Sequence, residues 1–138
     1  MKKAKAVLDT SVLLAHFRKG DFVPNLQELN FNYHLCFSSV VLMELYSGAF
    51  KQVEAKLIDY ISNNFSIVTP TENNWLHTGK ILKELQTKKL ASGSKLKMLV
   101  PDILIALSAN NIGAVVITMD YKDFNLIHSL YKFKLLEI

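Results

Sequence analysis

Four acidic residues stand where apolar stretches of this chain give way to a helix or turn, or where a helix begins. Asp9 follows Lys5-Ala-Val-Leu8, Glu44 lies within Ser38-Ser-Val-Val-Leu-Met-Glu-Leu45, Asp102 follows Val100-Pro101, and Asp120 follows Ala114-Val-Val-Ile-Thr-Met119. In an open α/β sheet, ligands bind at the carboxyl ends of the parallel strands. Carboxylates gathered there repel one another unless a cation holds them. The pattern therefore points to a divalent-metal site and to phosphoryl-transfer chemistry.

The rest of the chain agrees with such a sheet. With 138 residues, half of them hydrophobic, it is read as one domain, 1–138, with a buried core. Lys5–Leu8, Leu35–Phe37, Phe65–Val68 and Ala114–Thr118 read as strands, and Leu135-Leu136 as a short last one. Between them lie helical patterns. Asp9-Thr-Ser11 supplies capping side chains for a helix through Ala15, and another restarts near Pro24. Asn30–His34 reads as a turn, and Ser38 or Ser39 caps the helix bearing Glu44. Apolar residues recur at Val53, Leu57, Ile58 and Ile61, and a further helix runs from Thr71 or Asn73 to Leu85 with Trp75, Ile81, Leu82 and Leu85 buried. Asp102 is read as opening a helix through Ala109, stopped by Gly113 in a left-handed cap. Strands alternating with helices imply an α/β, three-layer architecture with a parallel sheet.

Composition narrows the function classes. One cysteine, Cys36, excludes an intrachain disulfide and fits a reducing compartment; its apolar neighbours make it a buried strand residue. The run after Met1-Lys-Lys is cut by Asp9 too early for a signal peptide, and Ile103–Met119 is interrupted by Asn110, Asn111 and Gly113. A cytoplasmic protein without a membrane span is expected. The net charge of +4 is a mild excess. Its distribution matters more: Lys80, Lys83, Lys88, Lys89, Lys95 and Lys97 precede Asp102 closely. They are either a solvated helix face with a loop or a rim that tracks phosphates.

Each acidic residue has a structural explanation when taken alone. Asp9 can cap a helix, unless Thr10 or Ser11 does so and leaves it free. Asp102 suits the first turn of a helix, and Asp120 or Asp123 suits a turn. Glu44 could be a surface glutamate, although its neighbours are almost all apolar. Order and spacing join them. Leu8-Asp9-Thr10-Ser11, Ser39-Val-Val-Leu-Met-Glu44-Leu45 with Gly48, Asp102-Ile-Leu-Ile-Ala106 with Gly113-Ala114, and Thr118-Met-Asp120 through Asp123-Phe124 together resemble the PIN-domain ribonucleases. Within them the chain is most similar to the VapC-like toxins of type II toxin–antitoxin pairs.

That resemblance covers nearly the whole chain and implies a PIN-like fold, with a central parallel sheet of about five strands and helices on both faces. It implies that Asp9, Glu44, Asp102 and Asp120 hold Mg²⁺ or Mn²⁺, with Asp123 a supporting or alternative acid. Ser11 and Thr118 would be hydroxyls that orient a carboxylate or the water at the metal. The implied reaction is hydrolysis of RNA to a 5′-phosphate and a 3′-hydroxyl, and oxygen ligands suit it because they bind these hard ions. Single-stranded or loop RNA can bring a phosphodiester into a shallow acidic cleft. Arg18, Lys19, Lys95 and Lys97 are candidates for guiding it.

The family also implies a homodimer and a cognate antitoxin that masks the cleft with a basic side chain. Tyr46 and Phe50, near Glu44, are read first as core packing and second as part of that contact surface. His16, His34, His77 and His128 show no ligand spacing and are read as surface or capping residues. Haloacid-dehalogenase-like phosphatases need a second Asp where Ser11 stands, and response-regulator receivers need an adjacent acidic pair near the first strand that is absent. A catalytically inactive PIN-like binding module and a stand-alone PIN nuclease without antitoxin are the remaining alternatives.

Overall fold

A computed structural model describes residues 3–19, 22–48 and 52–138, with side chains described throughout except at 16–19 and 22–25. Five strands, β1 (Lys5–Leu8), β2 (His34–Ser38), β3 (Ser66–Val68), β4 (Val115–Thr118) and β5 (Leu135–Glu137), form one sheet in the order β3-β2-β1-β4-β5. All four pairings are parallel, with Val7 opposite Cys36 on one side and Val116 on the other. The expected architecture is therefore the observed one. The direction of strand addition reverses between β1 and β4, which makes the carboxyl ends of those two strands the switch point where ligands bind in open α/β sheets.

Seven helices lie among the described residues: α1 (Thr10–Lys19), α2 (Phe22–Asn32), α3 (Ser39–Ser47), α4 (Gln52–Asn64), α5 (Glu72–Thr87), α6 (Ser94–Asn111) and α7 (Tyr121–Leu130). Consecutive strand residues point to opposite faces. Ala6, Val7 and Leu8 are all buried, as are Val116, Ile117 and Thr118, so the central strands are covered on both sides. Parallel crossovers are right-handed as a rule, which with this strand order puts the helices before β3 on one face and those after it on the other. No helix of the described residues is long and apolar enough to cross a membrane.

Local chemistry sets the ends of these elements. The Ser38 hydroxyl caps α3 by accepting the Val40 N–H at 3.1 Å. Gly113 has φ of +69°, the left-handed geometry expected for it just past α6. Cys36 is buried in β2. The turn expected over Asn30–His34 is instead the last turn of α2 running almost directly into β2.

Two other expectations are corrected. Asp102 does not open a helix, because α6 begins at Ser94 and carries Pro101 in its interior. Proline there cannot return a hydrogen bond to the carbonyl of Lys97 and costs about 3 kcal/mol. The apolar stripe Leu96, Leu99, Val100 and Ile103 continues across it, with Leu99 and Ile103 fully buried. Each such side chain contributes roughly 1.5–3 kcal/mol, enough to carry the helix through the proline. Trp75 is the second: it is 57% exposed. A capping box between Thr71 and Asn74 turns Asn74 inward, and the buried stripe of α5 is Asn74, Thr78, Ile81 and Leu85, leaving Trp75 one residue off it.

Candidate active site

Asp9 directly follows β1 at the switch point, and its N–H continues the sheet by bonding to the Ile117 carbonyl at 3.0 Å. Only 5% of the residue is exposed. A buried carboxylate needs donors, and three converge on it. Oδ1 accepts the Ser11 hydroxyl at 2.6 Å and the Val12 N–H at 3.3 Å, while Oδ2 accepts the Thr118 hydroxyl at 2.9 Å. Asp9 thus caps α1 itself; Thr10 and Ser11 do not cap in its place. Burial raises the pKa of Asp9, the hydroxyl and amide donors oppose that rise, and Asp120 adds to it.

A relay of hydrogen bonds ties the ends of β1 and β4 together. The Asp120 N–H donates to the Thr118 hydroxyl at 2.9 Å, and that hydroxyl donates onward to Asp9. The Met119 N–H donates to the Ser11 hydroxyl at 3.2 Å. Ser11 and Thr118 therefore both touch Asp9. Asp120 sits at the N-cap of α7, yet its side chain makes no capping hydrogen bond. The turn explanation accounts for its position and leaves its exposed carboxylate uncommitted.

Glu44 reaches the same region from α3. Its Oε1 accepts the Thr10 hydroxyl at 2.8 Å, across 34 residues of sequence. Thr10 is the residue that sequence reasoning passed over: as a cap candidate it gave no hint of a contact so distant in the chain. Asp102, one face of α6 below Leu99, accepts no hydrogen bond from a described residue. Burial foremost, then the charges of Asp9, Glu44, Asp123 and Asp120, push its pKa up from 3.8 to about 7. The five acids, from four different stretches of chain, thus share one electrostatic neighbourhood.

Asp123, in the first turn of α7, is taken up by Lys95, whose Nζ lies 2.5 Å from Oδ1. Lys97 is exposed on α6. The side chains of Arg18 and Lys19, and of His16, lie outside the described residues, as does Phe50. Tyr46 is 44% exposed and donates its hydroxyl to Asp59 at 2.5 Å, so it is not core. His77 packs edge-on to Tyr131 and His128 to Phe133, without contact to the acids.

The donor set is entirely oxygen, which suits Mg²⁺ or Mn²⁺ rather than softer metals. Among the described residues no group of three or more His, Cys, Asp or Glu side chains is gathered closely enough to hold a metal ion. Catalytic Mg²⁺ is typically held by one or two carboxylates together with water and substrate oxygens, so an open acidic cleft is the arrangement it needs. The carboxylates present fit that ion.

The PIN domain profile matches residues 6–128, from β1 into α7. The chain belongs to the PIN-domain family. Among solved structures, it is similar to a chain of the DNA-bound VapBC complex of Salmonella typhimurium, with 25% identity, a TM-score of 0.72, and coverage of 97% of this chain and 98% of the other. Similar folds occur in VapBC2 of Rickettsia felis bound to promoter DNA, with 24% identity, a TM-score of 0.72 and the same coverage. VapBC-1 of nontypeable Haemophilus influenzae follows, with 23% identity, a TM-score of 0.71, and coverage of 96% and 97%. No curated protein matched the chain. PIN domains are typically nucleases.

Proposed function

We propose that the chain, 1–138 acting as one PIN domain, is a Mg²⁺- or Mn²⁺-dependent endoribonuclease and the VapC-type toxin of a toxin–antitoxin pair. The observation that carries this reading is Asp102. It is a partly buried carboxyl with no donor among the described residues, held among the charges of Asp9, Glu44, Asp123 and Asp120. Such a cluster costs stability unless a cation enters it.

Asp9, Glu44, Asp102 and Asp120 would hold the ion. Bound there, it would supply Lewis-acid polarisation of a phosphodiester and a more acidic water. The protein's own groups do the positioning. Ser11, Val12 and Thr118 hold the Asp9 carboxylate in one orientation, and Thr10 does the same for Glu44. Asp120 stands exposed at the rim, where a phosphodiester of single-stranded RNA can approach. Lys97, Arg18 and Lys19 guide that strand; neutralising them should weaken RNA cleavage and flatten its salt dependence.

The antitoxin proposal rests on the relatives, whose structures are of VapBC complexes. A cognate antitoxin would mask the acidic cleft with a basic side chain. A second copy of this chain would cover the apolar groove of about 260 Å³ lined by Val40, Met43, Trp75, Val100, Pro101 and Leu104. The test of the activity is cleavage of single-stranded RNA by purified protein with and without Mn²⁺. Asp9→Asn or Asp102→Asn should abolish it. A binding module would instead keep its RNA affinity and show no metal-dependent cleavage in any form.

A further inference from the structure

Lys95 and Asp102 lie seven residues apart in α6, two helical turns, and so share one face of that helix. This face looks onto the first turn of α7, which carries Asp120 at its cap and Asp123 within it. The Lys95 Nζ is 2.5 Å from Asp123 Oδ1, with the lysine side chain 41% and the aspartate side chain 20% exposed. Among the described residues this is the only ion pair that reaches one of the five clustered acids. Asp120, three residues earlier, has no such partner among the described residues, and its backbone is tied through Thr118 to Asp9.

We infer that Lys95 is a positioning residue: its ion pair occupies the Asp123 carboxylate and thereby leaves Asp120 to complete the metal-binding set with Asp9, Glu44 and Asp102. The inference rests on the nuclease reading and deepens it. Two acids one helical turn apart at the end of β4 could both reach an ion, and two competing ligand sets would blur its position. A lysine engaged with one of them removes that ambiguity. Lys95 accordingly does not serve as a contact for RNA, which separates it from Lys97 on the same helix.

The test uses the full chain and Mn²⁺ as probe, with calorimetric Mn²⁺ affinity, the melting temperature of the metal-free protein, and kcat and KM on single-stranded RNA. Asp120→Asn should weaken Mn²⁺ binding by at least about tenfold, whereas Asp123→Asn should leave it close to wild type. Lys95→Met should change Mn²⁺ affinity and lower kcat with little effect on KM. In the Asp123→Asn background the same Lys95→Met substitution should do neither, because the carboxylate it restrains is gone. Loss of Mn²⁺ affinity on Asp123→Asn would overturn the inference and make Asp123 the ligand. A raised KM on Lys95→Met, equal in both backgrounds and with Mn²⁺ binding intact, would overturn it in favour of an RNA contact. Wild-type protein that binds no Mn²⁺ would overturn the nuclease reading itself, and the role given to Lys95 with it.

Discussion

Asp102 shows how far one carboxyl can be driven by its surroundings. Its pKa is raised from 3.8 to about 7, so the folded protein binds a proton there more tightly than the unfolded chain does. Stability from this group is therefore fully present below pH 4 and is lost as pH rises toward 7. Metal-free protein should be less stable at pH 8 than at pH 5 by on the order of a few kcal/mol, and should melt at a correspondingly lower temperature. Asp102→Asn should flatten that dependence, and saturating Mn²⁺ should reverse it; thermal melts across this range, with and without the ion, measure both. The Thr118 hydroxyl is a second residue-scale test, since it both donates to Asp9 and accepts from Asp120. Thr118→Val leaves two polar groups without their partner, and should cost about 1–3 kcal/mol in urea unfolding and weaken Mn²⁺ binding about 10–100-fold. At this scale the sequence named the acids and, through the family resemblance, Ser11 and Thr118, whose hydroxyls bond to Asp9, but not the Thr10 hydroxyl that holds Glu44. Asp9 is legible because a charge that ends a buried strand needs an explanation. The contact of Thr10 with Glu44 is not, because it depends on how α1 and α3 pack.

Elements were legible where periodicity and capping agreed. β1 and β4 stand out as short apolar runs ended by acids, and Gly113 as a stop whose φ of +69° disfavours any residue with a Cβ. Nothing crowds that position, so Gly113→Ala should destabilise through backbone strain alone, by about 1 kcal/mol; chemical unfolding would register it as a lower midpoint with unchanged slope. Elements were illegible where two local rules conflicted. Pro101 reads as a boundary, yet the buried stripe of α6 runs through it, and only that continuity puts Lys95 on the same face as Asp102. Trp75 reads as core by its chemistry, but the Thr71–Asn74 cap sets the rotation of α5 and leaves the ring at the edge of an apolar groove.

Across the whole molecule, strand order decides where chemistry is possible. The sequence implied parallel strands alternating with helices, whereas the order β3-β2-β1-β4-β5, with its reversal beside Asp9, emerges only from the fold. Opposite the logic of that polar cleft stands an exposed apolar one, where Met43 is 59% and Trp75 57% exposed. If a second copy covers it, sedimentation should show a dimer, and Met43→Glu should yield a folded monomer; a monomeric wild type or an unaffected dimer would contradict that assignment. The central claim is that the clustered acids are a metal-dependent nuclease centre. Its most direct measurement is cleavage of single-stranded RNA by wild-type protein and by Asp102→Asn, each with Mn²⁺ and with chelator. The account predicts products with 5′-phosphate ends from wild type with Mn²⁺ only. Equal cleavage by Asp102→Asn, or cleavage that persists in chelator, would contradict it.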